Sequence, residues 1–431
     1  MNTLRIGWAT PWNTRSAIAQ SASEVAFELA RRGHVITVLR TEVGEALDWE
    51  PRPAPGQIRR LVDVGPHELR DGFDVVVAHI GDHYGYHGAL LERLHETVVV
   101  GVFHDAFLAS IAVQWLRGDE TSIRAMLRDT YDSDTWPAGE PFFQDIGDVS
   151  RRRPLIEWLA RQTVGAVAHA QHYAQRLHDT CPGPVAVIPL AFSVPDLPLP
   201  PASWHQITIG VIGVGNPNKR VDQLILALGA SPILRSRCRI RVIGDVSSQM
   251  REPLTWLAHT ARISAPEFTG WVSDEELLWQ LRDVDIMSCL RNPVLEGASA
   301  SLILAQLSGR PTLVTGHGSY AEVPADTVLR CAPGHEARDV MRHLERVIDD
   351  PAARLAIGRR AQAFATARHA PAAYVDKLLP LLWDVVERRP FFLAERELAR
   401  TLVDFGLPSG DPSVRRAAAT LADLVQFDGG H

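Results

Sequence analysis

With 431 residues, 46% of them hydrophobic and 22% charged, the chain is too long for one ordinary core and suits two α/β domains of about 200 residues each. A net charge of −7 gives no basic footprint for nucleic acid, and the longest apolar runs, Val75–Ala78 and Thr97–Phe103 among them, are strand-sized, which argues against a transmembrane segment. Cys181, Cys238, Cys289 and Cys331 lie far apart without a CxxC pair, so neither a zinc site nor a disulfide framework is suggested. The opening MNTLRIGWATPWN does not read as a signal peptide, and the expectation is a cytoplasmic protein.

In chain order, LRIGWA reads as a buried strand, followed by a polar loop and a helix over Ala19–Arg32 that Gly33 stops. VITVLR, FDVVVAHI and TVVVGVFHD follow as strands, then TVGAVAH and PVAVIPL. Between Gln114 and Ser150 the text turns polar with poor periodicity, which predicts a variable insertion near a cleft. Prolines cluster from Phe192 to Trp204, stiffening the segment and blocking both ladders and helix interiors, so residues 196–205 are taken as the interdomain linker. The alternation then restarts. ITIGVIGVG is a strand with a Gly loop, Val221–Leu228 a helix, CRIRVIG a strand and PEFTGWVS a short strand. Helix Asp274–Arg282, strand DIMSCL, helix Ser299–Ser308 and strand RPTLVT complete the second unit. From Glu336 onward the reading is helical with a break at Pro390, and Glu397–Leu424 reads as surface helices.

Short apolar strands alternating with amphipathic helices define α/β architecture with two doubly wound Rossmann-like domains, whose ligands bind at the carboxyl ends of the strands. The expected domains are 1–195, 206–385 and a C-terminal helical segment 386–431 that packs back on the first domain.

Three stretches carry chemistry. In RNPVLEGASASLILAQLSGRPTLVTGHGSYAEVP, Glu296 precedes a helix N-terminus, where free amides favour anions, and Gly297 permits close approach of a ligand. The same residues would also make a simple N-cap, with Ser299 capping and Glu296 solvated. In IGVIGVGNPNKRVDQLILAL, a Gly-rich turn at Gly213 and Gly215 can cradle phosphate oxygens, with Lys219 placed to neutralise a diphosphate and Arg220 beside it. In VVVAHIGDHYGYHGALLERLHETVVVGVFHDAFL, His104-Asp105 closes a strand at its carboxyl end. His79, His83 and His87 are spaced by four, but Gly81, Gly85 and Gly88 predict a loop, and no carboxylate cluster completes a metal site.

The second-domain stretches resemble the Glu-Gly-Phe-Gly…Glu type of retaining GT-B glycosyltransferases, the large bacterial group 1 family. The first-domain pattern resembles a branch of that family that makes surface polysaccharides. The resemblance implies a GT-B fold and transfer of a sugar from a nucleotide-diphosphate sugar to a glycan, lipid-linked or other hydroxyl acceptor, with retention of configuration and no metal or other cofactor. It implies that Glu296 contacts the donor sugar and that His104 lies against it as a polarising residue. The diphosphate falls to Gly213, Gly215, Asn218, Lys219 and Arg220, and the rest of the donor to Gly297, Ala298, Ser299, Ser301 and Trp271. Asn13, Thr14, Ser16, His79, Asp105, Gly318 and Glu322 would line the sugar and acceptor side. The sequence departs from the family at Ala17, Val214 and Leu304; the last stands where the second Glu, the ribose ligand, is expected.

These departures keep a second reading open, a non-catalytic homologue that binds a sugar nucleotide or a partner enzyme. A GT-B epimerase or phosphorylase is a third. A nicotinamide dehydrogenase fits poorly, because no Gly-x-Gly-x-x-Gly follows the first strand. The expected partners are thus a nucleotide-sugar donor and a hydroxyl acceptor, with peripheral membrane association left open and nothing readable about oligomeric state. Donor nucleotide is equally open among UDP-, GDP- and dTDP-linked sugars.

Overall fold

Two parallel sheets organise the chain in the computed structural model, which describes residues 3–131, 146–199 and 206–406. The first sheet contains β1 (Arg5–Thr10), β2 (Val35–Arg40), β3 (Gln57–Arg60), β4 (Val75–Ile80), β5 (Val99–Phe103), β6 (Gly165–Ala168) and β7 (Val185–Val187), in the order β3-β2-β1-β4-β5-β6-β7. The second contains β8 (Ile207–Ile212), β9 (Cys238–Ile243), β10 (Glu267–Phe268), β11 (Ile286–Cys289), β12 (Thr312–Thr315) and β13 (Leu329–Cys331), in the order β10-β9-β8-β11-β12-β13. All neighbouring strands run parallel. Each sheet is doubly wound, with strand order reversing between β1 and β4 in one and between β8 and β11 in the other. Ligand crevices open at these switch points.

Burial on both faces explains why the strands are nearly all apolar. Every residue of β4 is buried, with Val75 and Val77 in one hydrophobic cluster and Val76, Ala78 and Ile80 in the other. The helix Ala17–Arg31 supplies Ala22, Val25 and Leu29 to the first of these faces. The same face receives Tyr374, Val375, Leu378, Leu382 and Val385 from a helix at the far end of the described chain, Pro371–Asp404.

That helix differs from its sequence reading in two ways. It runs unbroken through Pro380 and Pro390 to Asp404. A proline removes one backbone hydrogen bond, but apolar side chains on both sides of Pro390 pack on the first domain, Leu382 and Val385 before it and Phe392 and Leu393 after. The helix also leaves the second domain earlier than residue 385. It docks on the first domain from its first turn, and the two chain crossings lie side by side: Phe192 N donates to His369 O at 2.8 Å, while His369 Nδ1 and Leu190 O are 2.7 Å apart.

Helices also occur where loops were expected. Tyr84–Arg93 is helical through Gly85 and Gly88. Gly88 is needed there for contact, since a Cβ would come within 2.8 Å of Val43. Within the expected insertion, Glu120–Tyr131 and Ile146–Arg152 are helices, while residues 132–145 lie outside the described part. Asp119 caps the former through Ser122 N at 2.9 Å, and Ile123, Met126 and Leu127 pack on the Phe107 cluster. Residues 200–205 of the expected linker, and the 407–424 part of the expected surface helices, also fall outside the described residues.

Leu382→Ala, which empties a fully buried position under β1 and β4, should destabilise the first domain by about 2–5 kcal/mol. A urea titration reads this as a lower midpoint. An unchanged midpoint would remove the docking of this helix from the fold.

Candidate active site

The loops after β8 and β11 build the second-domain side of the cleft. Gly213 adopts φ +96°, and a Cβ there would stand 2.7 Å from Lys219 Nζ. Glycine therefore leaves room for the lysine to fold back, and Lys219 Nζ donates to Ile212 O at 2.5 Å. Lys219 is buried, and burial, with Arg291 adding to it and Glu296 opposing, lowers its pKa to about 7. Asn292 N donates to Asn218 O at 2.9 Å, which knits the two loops together. Asn218 Oδ1 is buried and has no hydrogen-bond partner among the described residues. These groups open on a cavity of about 800 Å³ walled by Val246, Met250 and Leu254 opposite Gly215, Asn218 and Lys219.

Glu296 follows directly on Leu295, a lining residue of this cavity. Arg291 Nε donates to its Oε1 at 2.8 Å, and Tyr320 Oη donates to Oε1 at 2.7 Å. Burial disfavours the Glu296 carboxylate, yet Arg291, the Tyr320 hydroxyl and Lys219 outweigh it and lower its pKa. Burial likewise works against the Arg291 cation, and Tyr320 and Glu296 overcome it. Arg291 is fixed further by Leu290 O at 2.8 Å and Ser301 Oγ at 3.4 Å.

The first domain contributes stacked imidazoles and two carboxyls. His79 and His104 share a hydrogen bond of 2.8 Å, and the rings of His104 and His169 lie 4.7 Å apart. Burial, reinforced by neighbouring histidines, holds the His79 and His104 pKa values well below the usual range, and burial lowers His169 to about 4. The three are neutral at physiological pH. Asp105 Oδ2 accepts from Asp82 N at 2.8 Å, and Asp82 Oδ1 accepts from Ile111 N at 2.8 Å. Burial raises Asp105 to about 7, with Glu296 adding to it; burial raises Asp82 to about 8, with Asp105 adding to it.

The two halves meet through backbone. Gly297 N donates to His104 O at 2.8 Å and Ala106 N to Leu295 O at 2.9 Å, an antiparallel bridge centred on Asp105 and Glu296. A Cβ on Gly297 would fall 2.6 Å from Tyr173 Oη, so this glycine admits the first domain rather than a ligand.

The structure thus brings His104, Asp105, Glu296, Gly213, Gly215, Asn218, Lys219 and Gly297 into one region, and places other candidates elsewhere. Glu322 caps the first-domain helix Gln171–His178, accepting from Gln171 N at 3.0 Å and His172 N at 2.8 Å, so it joins domains instead of lining a sugar. Asn13 is buried; its Nδ2 donates to Glu42 Oε1 at 3.1 Å and its Oδ1 accepts from Arg15 N at 2.9 Å, shaping the first loop. Thr14 O accepts from Arg52 Nη2 at 3.3 Å in that loop. Ser16 is the N-cap of Ala17–Arg31, and Ser299 the N-cap of Ala300–Leu307. Ser301 faces Arg291. Ala298 packs on the apolar cluster of Leu190 and Phe192. His79 lies buried beneath His104. Trp271 sits against Arg15, whose guanidinium lies 4.9 Å from the Trp271 ring and 4.7 Å from that of Trp49. Arg220 lines the cavity mouth but leans to Asp222 at 3.5 Å. Gly318, at φ +54°, lets Val294 approach. Val214 is exposed, and Leu304 packs among apolar side chains including Ile212 and Val272.

Sequence reasoning did not single out Arg291, Tyr320, Asp82, Tyr173 or His169. Arg291 had a legible signal, a charge ending a wholly buried strand and five residues before Glu296.

Two doubly wound domains with this cleft between them define the GT-B class of glycosyltransferase folds. Residues 203–364, within the second domain, match the family described as "Glycosyl transferases group 1". No curated protein matches the chain by sequence. Among solved structures, Anabaena Alr3699/HepE in complex with UDP and glucose is similar at TM-score 0.60 and 14% identity, over 88% of this chain and 99% of that one. Sucrose-phosphate synthase from Thermosynechococcus elongatus is similar at TM-score 0.59 and 15% identity, over 88% and 99%. WaaG, a glycosyltransferase involved in lipopolysaccharide biosynthesis, is similar at 0.57 and 15%, over 86% and 98%. Among the described residues no helix is long and apolar enough to cross a membrane, and no group of three or more His, Cys, Asp or Glu could hold a metal ion.

The raised carboxyls have a consequence for stability. A carboxyl bound to its proton up to about pH 8 in the fold, but only up to its ordinary 3.8 when unfolded, makes the native state the more protonated one between these values. Stability therefore falls as pH rises through that window, by at most about 1.4 kcal/mol per unit for one group. Asp82→Asn should flatten the decline in Tm between pH 5 and 8. An equally steep decline in the variant would show that Asp82 does not titrate in this way.

Proposed function

We propose that the chain transfers a sugar from a nucleoside diphosphate sugar to a hydroxyl acceptor, with retention of configuration and without a metal or other cofactor. The observation that carries this reading is a buried lysine in a Gly-rich loop at the wall of a cavity, near enough to the Glu296 carboxylate for each to favour the other's charged form. Departure of a nucleoside diphosphate needs a cation at its oxygens, and Lys219 is the group at the head of the cavity that can supply it. Asn218 Oδ1, buried and unpaired, is an acceptor awaiting a donor, and a nucleotide or sugar hydroxyl supplies one. Glu296, kept ionised by Arg291, accepts from sugar hydroxyls.

In this mechanism the bond from the anomeric carbon to the diphosphate oxygen breaks, and Lys219 stabilises the charge that appears there. The acceptor oxygen bonds to the anomeric carbon on the same face, and its proton passes to the departing diphosphate. His104 is neutral and lies under the sugar as a hydrogen-bonding and polarising group. The UDP seen with the HepE structure and the sugar in the same crystal favour a UDP-linked donor. The acceptor is read as a glycan or lipid-linked hydroxyl, and the location as the cytoplasm.

Leu304 favours one alternative, a binding protein that has lost turnover, because the side chain next to Ile212 and Val272 offers no hydrogen bond to a ribose. A screen of UDP-, GDP-, dTDP- and ADP-sugars by thermal shift and donor hydrolysis separates the readings. A donor that both stabilises and is hydrolysed supports transfer; stabilisation without turnover, even with acceptors present, supports the binding protein. Glu296→Ala and Lys219→Ala should each lower turnover about 100-fold or more, the scale for removing an electrostatic contact made in the transition state. Near-wild-type turnover in both would discard the assignment.

Lys219 also fixes a pH dependence. Its ammonium, lowered to about 7 in the empty cleft, is drawn back to the charged form by a bound diphosphate, so binding takes up a proton above that pH. UDP affinity should then fall by up to about tenfold per unit as pH rises from 7 toward 9. Calorimetry in buffers of different ionisation heat measures the proton uptake, and none should remain in Lys219→Met.

A further inference from the structure

A second cavity, of about 430 Å³, lies on the other side of the Asn292–Leu295 loop from the Lys219 cavity. Asn292 and Pro293 line both, so that single loop is the wall between them. The floor is Ala106 and Phe107, the residues that follow Asp105. A group seated here is thus next to His104 and Asp105 and separated from Lys219 by the Glu296 loop.

The described lining of this cavity carries Arg151 and Arg176, with the imidazoles of His172 and His317 beside them, and no Asp or Glu, while Glu157, Asp148 and Glu322 stand behind these groups. Arg176 is pre-set: Nη1 donates to Glu157 Oε1 at 2.5 Å and Nη2 to Arg151 O at 2.5 Å. Its guanidinium thereby holds the helix Ile146–Arg152 against the first domain. Arg151 itself is largely exposed, with Asp148 at a long 3.6 Å. His172 lies 3.7 Å from Glu322, a carboxylate already committed to the Gln171 and His172 amides, with the Tyr173 ring 5.0 Å away and Glu296 and His317 close enough to act on it. His317 Nε2 and Arg291 O are 2.7 Å apart, which ties the second-domain side of this cavity to the residue that holds Glu296.

We propose that this cavity binds an oxyanion, phosphate or carboxylate, carried by the acceptor, and so positions the acceptor hydroxyl at the Asp105–Glu296 junction. The assignment of the oxyanion to an acceptor rests on the glycosyl-transfer reading; the anion site itself does not. Guanidinium forks bind phosphate and carboxylate oxygens in pairs, and Arg151 has donors to spare.

The test uses the full chain and titrates inorganic phosphate and, separately, glucuronate by calorimetry. Lys219→Ala is included because the first cavity also attracts anions. Saturable binding of one equivalent is expected, weakened about tenfold in Arg151→Gln and in His172→Gln and retained in Lys219→Ala. Tighter phosphate binding identifies a phosphorylated acceptor, and tighter glucuronate binding a uronic acid; either supports the site. Arg151→Lys, which keeps the charge and removes the fork, should fall between wild type and Arg151→Gln. No saturable binding of either probe overturns the proposal, as does binding that is lost in Lys219→Ala and unchanged in both cavity variants. Since no turnover is needed for the readout, phosphate binding in a chain that fails to transfer sugar would count against the transfer reading alone.

Discussion

An ionised carboxylate held between two domains has to be neutralised from close by, and much of the cleft follows from how this chain does so for Glu296. Arg291 stands five residues earlier, just after β11, and reaches forward to it, while Tyr320 comes from the loop after β12. Without Arg291, burial would push Glu296 toward protonation with only the Tyr320 hydroxyl and Lys219 to oppose it, and a neutral acid is a poor acceptor for sugar hydroxyls. Lys219 completes the arrangement from the loop after β8, and it too is shaped by its neighbours: the same Arg291 that stabilises Glu296 depresses the lysine. The three side chains share one balance, in which an added diphosphate would be the missing anion.

The joint between domains rests on equally local chemistry. Two backbone hydrogen bonds pair His104–Ala106 with Leu295–Gly297, so the catalytic candidates of each domain are carried on the strand ends that make the contact. Gly297 and Tyr173 allow that approach, Glu322 adds a carboxylate at a helix start, and Arg52 and Asp274 close the far side at 2.8 Å. Each of these is a short-range contact that separation of the domains by a few ångströms would lose. Separation of the domains would break these contacts together, whereas the Leu190–Phe192 and His369 crossings are joined by hydrogen bonds of their own.

The sheets were legible because both faces are buried, and apolar runs such as VVVAHI leave little choice between strand and surface. What periodicity missed was short or exposed: β3 reads QIRR with little burial, and β13 has three residues. Gly85 and Gly88 hid a helix because their reason is tertiary, a neighbour that a Cβ would strike. The site divides in the same way. Residues whose role follows from local geometry, Gly213 and Lys219, could be read from the text. Residues whose side chains are committed by partners far along the chain could not: Glu322 is claimed by a helix 150 positions away, and Asn13 by Glu42.

Leu304 shows how a departure in sequence becomes physical. Its side chain does not point into water but joins Ile212, Val272, Leu277 and Leu278 around the core of Leu281, Val284 and Met287. A glutamate there would be placed beside apolar carbons and would need a ligand's hydroxyls to offset its desolvation. Leucine removes that cost in the empty protein and, with it, any gain that the carboxylate would contribute on binding. On the glycosyl-transfer reading, the donor would then be held at its diphosphate end, where Lys219 lies, more than at the sugar ring of the nucleoside. Donor recognition built in this way would depend more on charge at the cleft head than on the nucleoside, and so on the protonation state of Lys219, which burial lowers.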